Sequence, residues 1–255
     1  MKDKKKKGNT FLAILGMCVF AFAIVFAFQY LIGYILIWTA GRTALSQPLW
    51  SAIYSALVYI FSMIVIIGLP IMIKEKKRGK KPKKEEVRKE LGLKELPTWT
   101  DVGLAPVGFF VSLILAAILV GIFNVFPWFN ATEAQDYGFS HFLTPGLDRV
   151  IAFLTLVVVA PIAEEIIFRG WLYGKIRERL NDKLSEIWGI IVSSLVVSVL
   201  FGLIHLQWNV GVNVFALSIV LCALREVTGT IYAGILTHMI KNGVAFYLIY
   251  VLGVV

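Results

Sequence analysis

Apolar runs of membrane length divide this chain and leave it few ways to fold. They fall at approximately 11–37, 49–73, 104–126, 149–170, 187–207, 211–224 and 229–252. A helix needs about 20 apolar residues to cross the ~30 Å hydrocarbon layer. The chain therefore reads as all-α, a polytopic membrane bundle of about seven transmembrane helices. The generous first run and the apolar residues within 127–148 leave room for an eighth. The sixth run is short, so it is either re-entrant or begins inside the preceding loop. Composition agrees: 58% of residues are hydrophobic against 16% charged, and mean hydropathy is +0.80, outside the soluble globular range.

The net charge of +9 would suit a nucleic-acid binder, but its placement points to lipid. Lysines crowd the N-terminus (Lys2, Lys4 to Lys7) and the segment from Lys74 to Lys94. Basic residues accumulate on the cytoplasmic side, so the first two spans form a hairpin with only Arg42 outside. The loop 127–148 carries Glu133, Asp136 and Asp148 against Arg149 and reads as external. Arg169, Lys175, Arg177, Arg179, Lys183 and Arg225 return inside, and the C-terminus ends outside. The N-terminal run is too long for a cleavable signal and reads as a retained anchor. The expected setting is a bacterial plasma membrane, with the N-terminus cytoplasmic and no nucleic-acid partner.

One membrane-embedded domain is expected over 1–255, with N-terminal spans and a basic loop in 1–100 and a functional core in 145–255. Within 74–97, the spacing of Val87 and Leu91 allows a short surface helix over Glu85 to Leu96, ended at Pro97. A plain solvated loop is the preferred reading there.

Chemistry is expected from the ionisable residues that the apolar runs retain at about 2.5–3.5 kcal/mol each. Glu164 and Glu165 end the run from Val150 to Ala163, and Arg169 follows. Glu165 and Arg169 are four apart and face each other on a helix, whereas Glu164 points about 100° away. One acid is then paired and the other free. Pro161 cannot donate to Val157 and should kink the helix. The competing reading is a membrane-edge anchor. His205 follows Phe201 by four residues in the fifth span, beside a row of small residues, Ser194, Ser198 and Gly202, suited to close helix contact. In the last span Thr230, Gly234, His238 and Asn242 form a polar stripe at four-residue spacing, with Lys241 beside it. His141, in the outer loop, is assigned no role.

These groups can meet if the fourth helix continues through 171–180 before turning near Asn181 to Lys183. Glu164 then lies ~28 Å from the turn and His205 ~33 Å, at 1.5 Å per residue. If the helix stopped at Arg169, the site would fail.

In this order, Glu164-Glu165-x-x-x-Arg169, Phe201-x-x-x-His205 and His238-x-x-x-Asn242 resemble the motifs of the CPBP (ABI) family of intramembrane proteases, related to the CAAX prenyl endopeptidase. The resemblance covers roughly the C-terminal 110 residues. It implies a metal-free glutamic endopeptidase acting on a membrane-bound protein or peptide. Glu164 would activate water with help from His205, His238 and Asn242 would hold the oxyanion, and Glu165 with Arg169 would support the site. Partial desolvation brings a carboxylate's two protonation states closer in energy, as general acid–base work requires.

Three other readings compete. Glu164, His205 and His238 could supply a His₂Glu metal set. A proton-coupled transporter also places Glu and His in spans, but no repeat or paired broken helices accompany them. Some members of the resembled family act in bacteriocin immunity, which implies a non-catalytic peptide binder as the alternative.

Overall fold

The computed structural model describes residues 9–40, 46–79, 81, 83–93, 96–133 and 146–253. Lys2, Lys4 to Lys7, Arg42, Lys94, Asp136 and His141 lie outside these residues. The described fold is all-helical. Helix α1 spans Thr10–Ala40, α2 Gln47–Lys77, α3 Lys84–Glu90, α4 Trp99–Phe123, α5 Leu147–Leu180, α6 Glu186–Leu203, α7 Trp208–Thr228 and α8 Tyr232–Phe246. A wide turn over Tyr247–Val251 prolongs α8.

Among the described residues six helices are long and apolar enough to cross a membrane: α1, α2, α4, α5, α6 and α7. The seventh expected run, 229–252, becomes an α-helix of only 15 residues before its wide turn. The sixth run is longer than its apolar stretch suggested, because α7 starts at Trp208, inside the expected loop. Residues 124–133 form turns, so no eighth span appears in the described part of 127–148.

Local chemistry explains the boundaries. Thr98 and Asp101 close a reciprocal cap at the start of α4, each side chain bonding the other residue's backbone N–H. Gly229, at φ +68°, ends α7 in the left-handed conformation that glycine adopts without strain. A membrane-edge anchor needs no helix beyond Arg169, yet α5 continues to Leu180 and covers 34 residues, ~51 Å at helical rise. The long hairpin required for convergence is therefore present.

The helices share an apolar core. Phe168, Leu172 and Ile176 of α5 meet Val197 and Phe201 of α6 and Cys222 of α7, and Ala21 of α1 with Ile66 and Ile67 of α2 join the same cluster. Helix α7 packs against α4 and α6, and α8 packs against α4 and α5. The small-residue row on α6 permits that closeness: a Cβ on Gly202 would lie 2.9 Å from the carbonyl oxygen of Gly211 on α7.

The segment after the lysine cluster departs from the solvated-loop reading. Lys84–Glu90 is helical, and the chain then docks on the bundle. Leu91 is buried, its carbonyl accepts from Arg225, and the Gly92 carbonyl accepts from the backbone N–H of Ile231. Glu90 also pairs with Lys175. Gly92 is required by both conformation and space: its φ is +72°, and a Cβ would meet the Arg225 guanidinium at 2.6 Å.

Candidate active site

The stretch of α5 that carries the two acids, Ala160–Glu165, keeps tight α geometry. Wide π turns over Leu154–Val159 and Ile166–Tyr173 flank it. Such turns add a residue to the hydrogen-bonded loop and recur at functional sites. Pro161, which has no N–H to give, stands at the junction with the first of them.

Glu165 and Arg169 are almost wholly buried, at 0% and 1% exposure. Arg169 Nη1 donates to Glu165 Oε1 at 2.9 Å, as the four-residue spacing predicts. The same oxygen lies 3.1 Å from His238 Nδ1. A carboxylate can only accept, so Nδ1 carries the hydrogen and Nε2 is turned toward the cavity. Burial of three ionisable side chains is tolerable because each has a charged or hydrogen-bonding partner. Gly234 leaves space for this arrangement, since a Cβ there would stand 3.3 Å from Glu165 Oε2.

Aromatic packing fixes the rings. Phe201, fully buried, meets Phe168, His205 and His238 edge-on at centroid separations of 5.0, 5.2 and 5.9 Å. Arg169 Cζ lies 4.5 Å from the centroid of the Phe201 ring, a cation–π contact.

Glu164 is held differently from Glu165. Its Oε1 accepts from the Tyr59 hydroxyl of α2 at 2.6 Å. Its Oε2 lies 3.8 Å from His238 Nε2, too far for a direct hydrogen bond. Glu164 makes no ion pair with Arg169.

His205 is not inside a span. It occupies the turn between α6 and α7, where Nδ1 lies 2.8 Å from the Phe201 carbonyl. That acceptor assigns the hydrogen to Nδ1 and leaves Nε2 as the basic nitrogen. Asn242 Nδ2 donates to the Leu156 carbonyl at 2.9 Å, within the wide turn of α5. The polar stripe is thus the seam on which α8 docks: Thr230, just ahead of the helix, bonds Asp101, Gly234 admits Glu165, and His238 and Asn242 bind α5.

Glu164, His205, His238 and Asn242 line one cavity of about 380 Å³, together with Tyr59 and Lys241. Glu165 and Arg169 stand behind its wall and contribute no lining. Sequence reasoning missed Tyr59, one of nine tyrosines, which sits in an otherwise apolar run with no motif around it. Among the described residues no three His, Cys, Asp or Glu side chains gather as a group able to hold a metal ion.

Comparison with known proteins adds one match. Residues 146–244 fit the family model described as Type II CAAX prenyl endopeptidase Rce1-like. No curated protein and no solved structure gives a significant match. The matched segment contains Glu164, His205, His238 and Asn242, and it excludes Tyr59.

Proposed function

We propose, from the premise that residues 146–244 form an Rce1-like domain of the CAAX/CPBP intramembrane peptidase family, that the cavity hydrolyses a peptide bond of a membrane-associated peptide or protein. The observation that carries this reading is the 3.8 Å gap between Glu164 Oε2 and His238 Nε2. An oxygen atom fits within ~3 Å of both, the arrangement expected for a reacting atom between a base and its electrostatic partner.

In this reading Glu164 takes a proton from water as the water oxygen attacks the substrate carbonyl. His205, with Nε2 unprotonated, assists that transfer or receives the proton from Glu164. His238, anchored at Nδ1 by Glu165, donates from Nε2 to the developing oxyanion when that nitrogen is protonated. Asn242 offers the second hydrogen of its amide beside it, since the first is committed to Leu156. The proton then passes to the departing amine, and the carbonyl re-forms with cleavage of the C–N bond.

The orientation proposed is N-terminus inside. The ion pairs and hydrogen bonds of Glu90, Lys175, Arg177, Arg225 and Glu226 gather at the end of the bundle next to the lysine cluster. That is the cytoplasmic end by charge bias, and a bacterial plasma membrane is the setting it suits. Together with its wide turn α8 covers 20 residues, ~30 Å, and supplies the seventh crossing.

The test compares the membrane peptidome of cells expressing the wild type with that of cells expressing Glu164→Gln. A defined set of membrane peptides should persist uncut in the variant. Full biological function in Glu164→Gln would instead favour a peptide-binding or immunity role.

A further inference from the structure

We propose that Tyr59 is the positioning residue for the Glu164 carboxylate, so that the N-terminal hairpin α1–α2 completes the catalytic site instead of only anchoring it. This inference rests on the proteolytic reading of the cavity. Among the described residues Tyr59 is the single hydrogen-bond donor to Glu164, and the 2.6 Å separation is that of a charge-assisted O–H···O⁻ bond. Engaging Oε1 leaves Oε2 as the oxygen presented to His238 and to an incoming water. A glutamate side chain has several rotatable bonds. With only its own helix to hold it, Glu164 would sample rotamers that face away from the gap.

The hairpin is built to keep that hydroxyl in place. Tyr54, earlier on α2 than Tyr59, donates to the Gln29 carbonyl of α1 at 3.3 Å and ties the two helices together. Ile66 and Ile67 of α2 and Ala21 of α1 are buried in the same core as Phe168 and Phe201. Gln29, Tyr54 and Tyr59 all line the cavity, together with the motif residues of the matched segment. The division of labour is clear: α5, the α6–α7 turn and α8 bring the reactive groups, and α2 sets which oxygen of Glu164 faces them.

The experiment uses the full chain reconstituted in lipid vesicles and the Tyr59→Phe variant, which keeps the ring and its packing. Infrared difference spectra with ¹³C-labelled glutamate, taken against Glu164→Gln, isolate the Glu164 carboxylate band. Turnover is followed on a set of palmitoylated, internally quenched peptides, with kcat and KM determined on the best-cleaved member. Expected are a shifted Glu164 band, a kcat lower by about 100-fold, the penalty typical of a reacting group displaced by ~1 Å, and a KM changed less than about twofold. An unchanged band overturns the proposal, and so does a shifted band with unchanged kcat. Equal losses in melting temperature and in the amount of folded protein, with kcat of the folded fraction retained, would make Tyr59 a packing residue. Absence of wild-type turnover on every peptide would count against the proteolytic reading and remove the positioning role with it, while the band would still report the hydrogen bond.

Discussion

His238 Nδ1 lies 3.1 Å from the same Glu165 oxygen that Arg169 approaches at 2.9 Å, so one buried carboxylate sets both a guanidinium and an imidazole. The two adjacent acids thus have separate partners: Glu165 is enclosed with Arg169 and His238, and Glu164 faces the cavity with Tyr59.

Removing Glu165 should be more damaging than its distance from the cavity suggests. Glu165→Leu leaves the Arg169 charge buried and unpaired, at a cost of about 3–5 kcal/mol. The double variant Glu165→Leu/Arg169→Leu should recover much of that stability and none of the activity, because the anchor on His238 is still missing. Thermal unfolding in detergent and turnover together read the two effects. A double variant no more stable than Glu165→Leu would contradict the pairing.

Gly234→Ala should act through Glu165 without touching substrate. The new methyl group would stand 3.3 Å from Oε2 and push the carboxylate off His238. Overpacking of this kind costs about 1–3 kcal/mol. Loss of turnover should exceed what the fall in folded protein accounts for, measured as rate per folded molecule.

His205→Ala should separate catalysis from folding most cleanly. The residue sits in a turn and, among the described residues, its one side-chain hydrogen bond is local, to the Phe201 carbonyl. The melting temperature should move by no more than a few degrees, while kcat falls by about 10²–10⁴-fold, the range for loss of an acid–base group. A variant with near wild-type kcat would remove His205 from the mechanism.

Asn242→Ala distinguishes an oxyanion donor from a clamp. Loss of an oxyanion donor costs about 10²–10³ in kcat. Loss of the bond to Leu156 alone would cost about 1 kcal/mol of stability and leave the chemistry intact. Comparing kcat with unfolding temperature decides between them, and the proposed mechanism requires the first result.

The helices were readable because membrane-length apolar runs have few alternatives, and their centres fall where the runs do. Their ends were less so. Nothing apolar marks the start of α7 at Trp208, and the wide turns of α5 and α8 depend on neighbouring helices, which a linear pattern does not contain. The Glu165–Arg169 pair followed from spacing on one helix. The bond from His238 to Glu165 did not, because it joins residues 73 apart and depends on how α8 is rotated against α5. Tyr59 is the extreme case, 105 residues from its partner and in a segment chosen for hydrophobicity. The docking of Leu91 and Gly92 was hidden for a related reason: backbone carbonyls carry the contact, and they have no signature in side-chain composition.

That docking gives the lysine-rich segment a mechanical link to the helix bearing His238. The Gly92 carbonyl holds Ile231, the residue immediately before α8, and the Leu91 carbonyl holds Arg225 in the last turn of α7. A pull on the tether by anionic lipid or a bound protein would reach the root of α8 through two hydrogen bonds. The lysine-rich surface and the cavity are then parts of one load path, and tension at Lys83 or Lys84 has a route to the imidazole that faces Glu164.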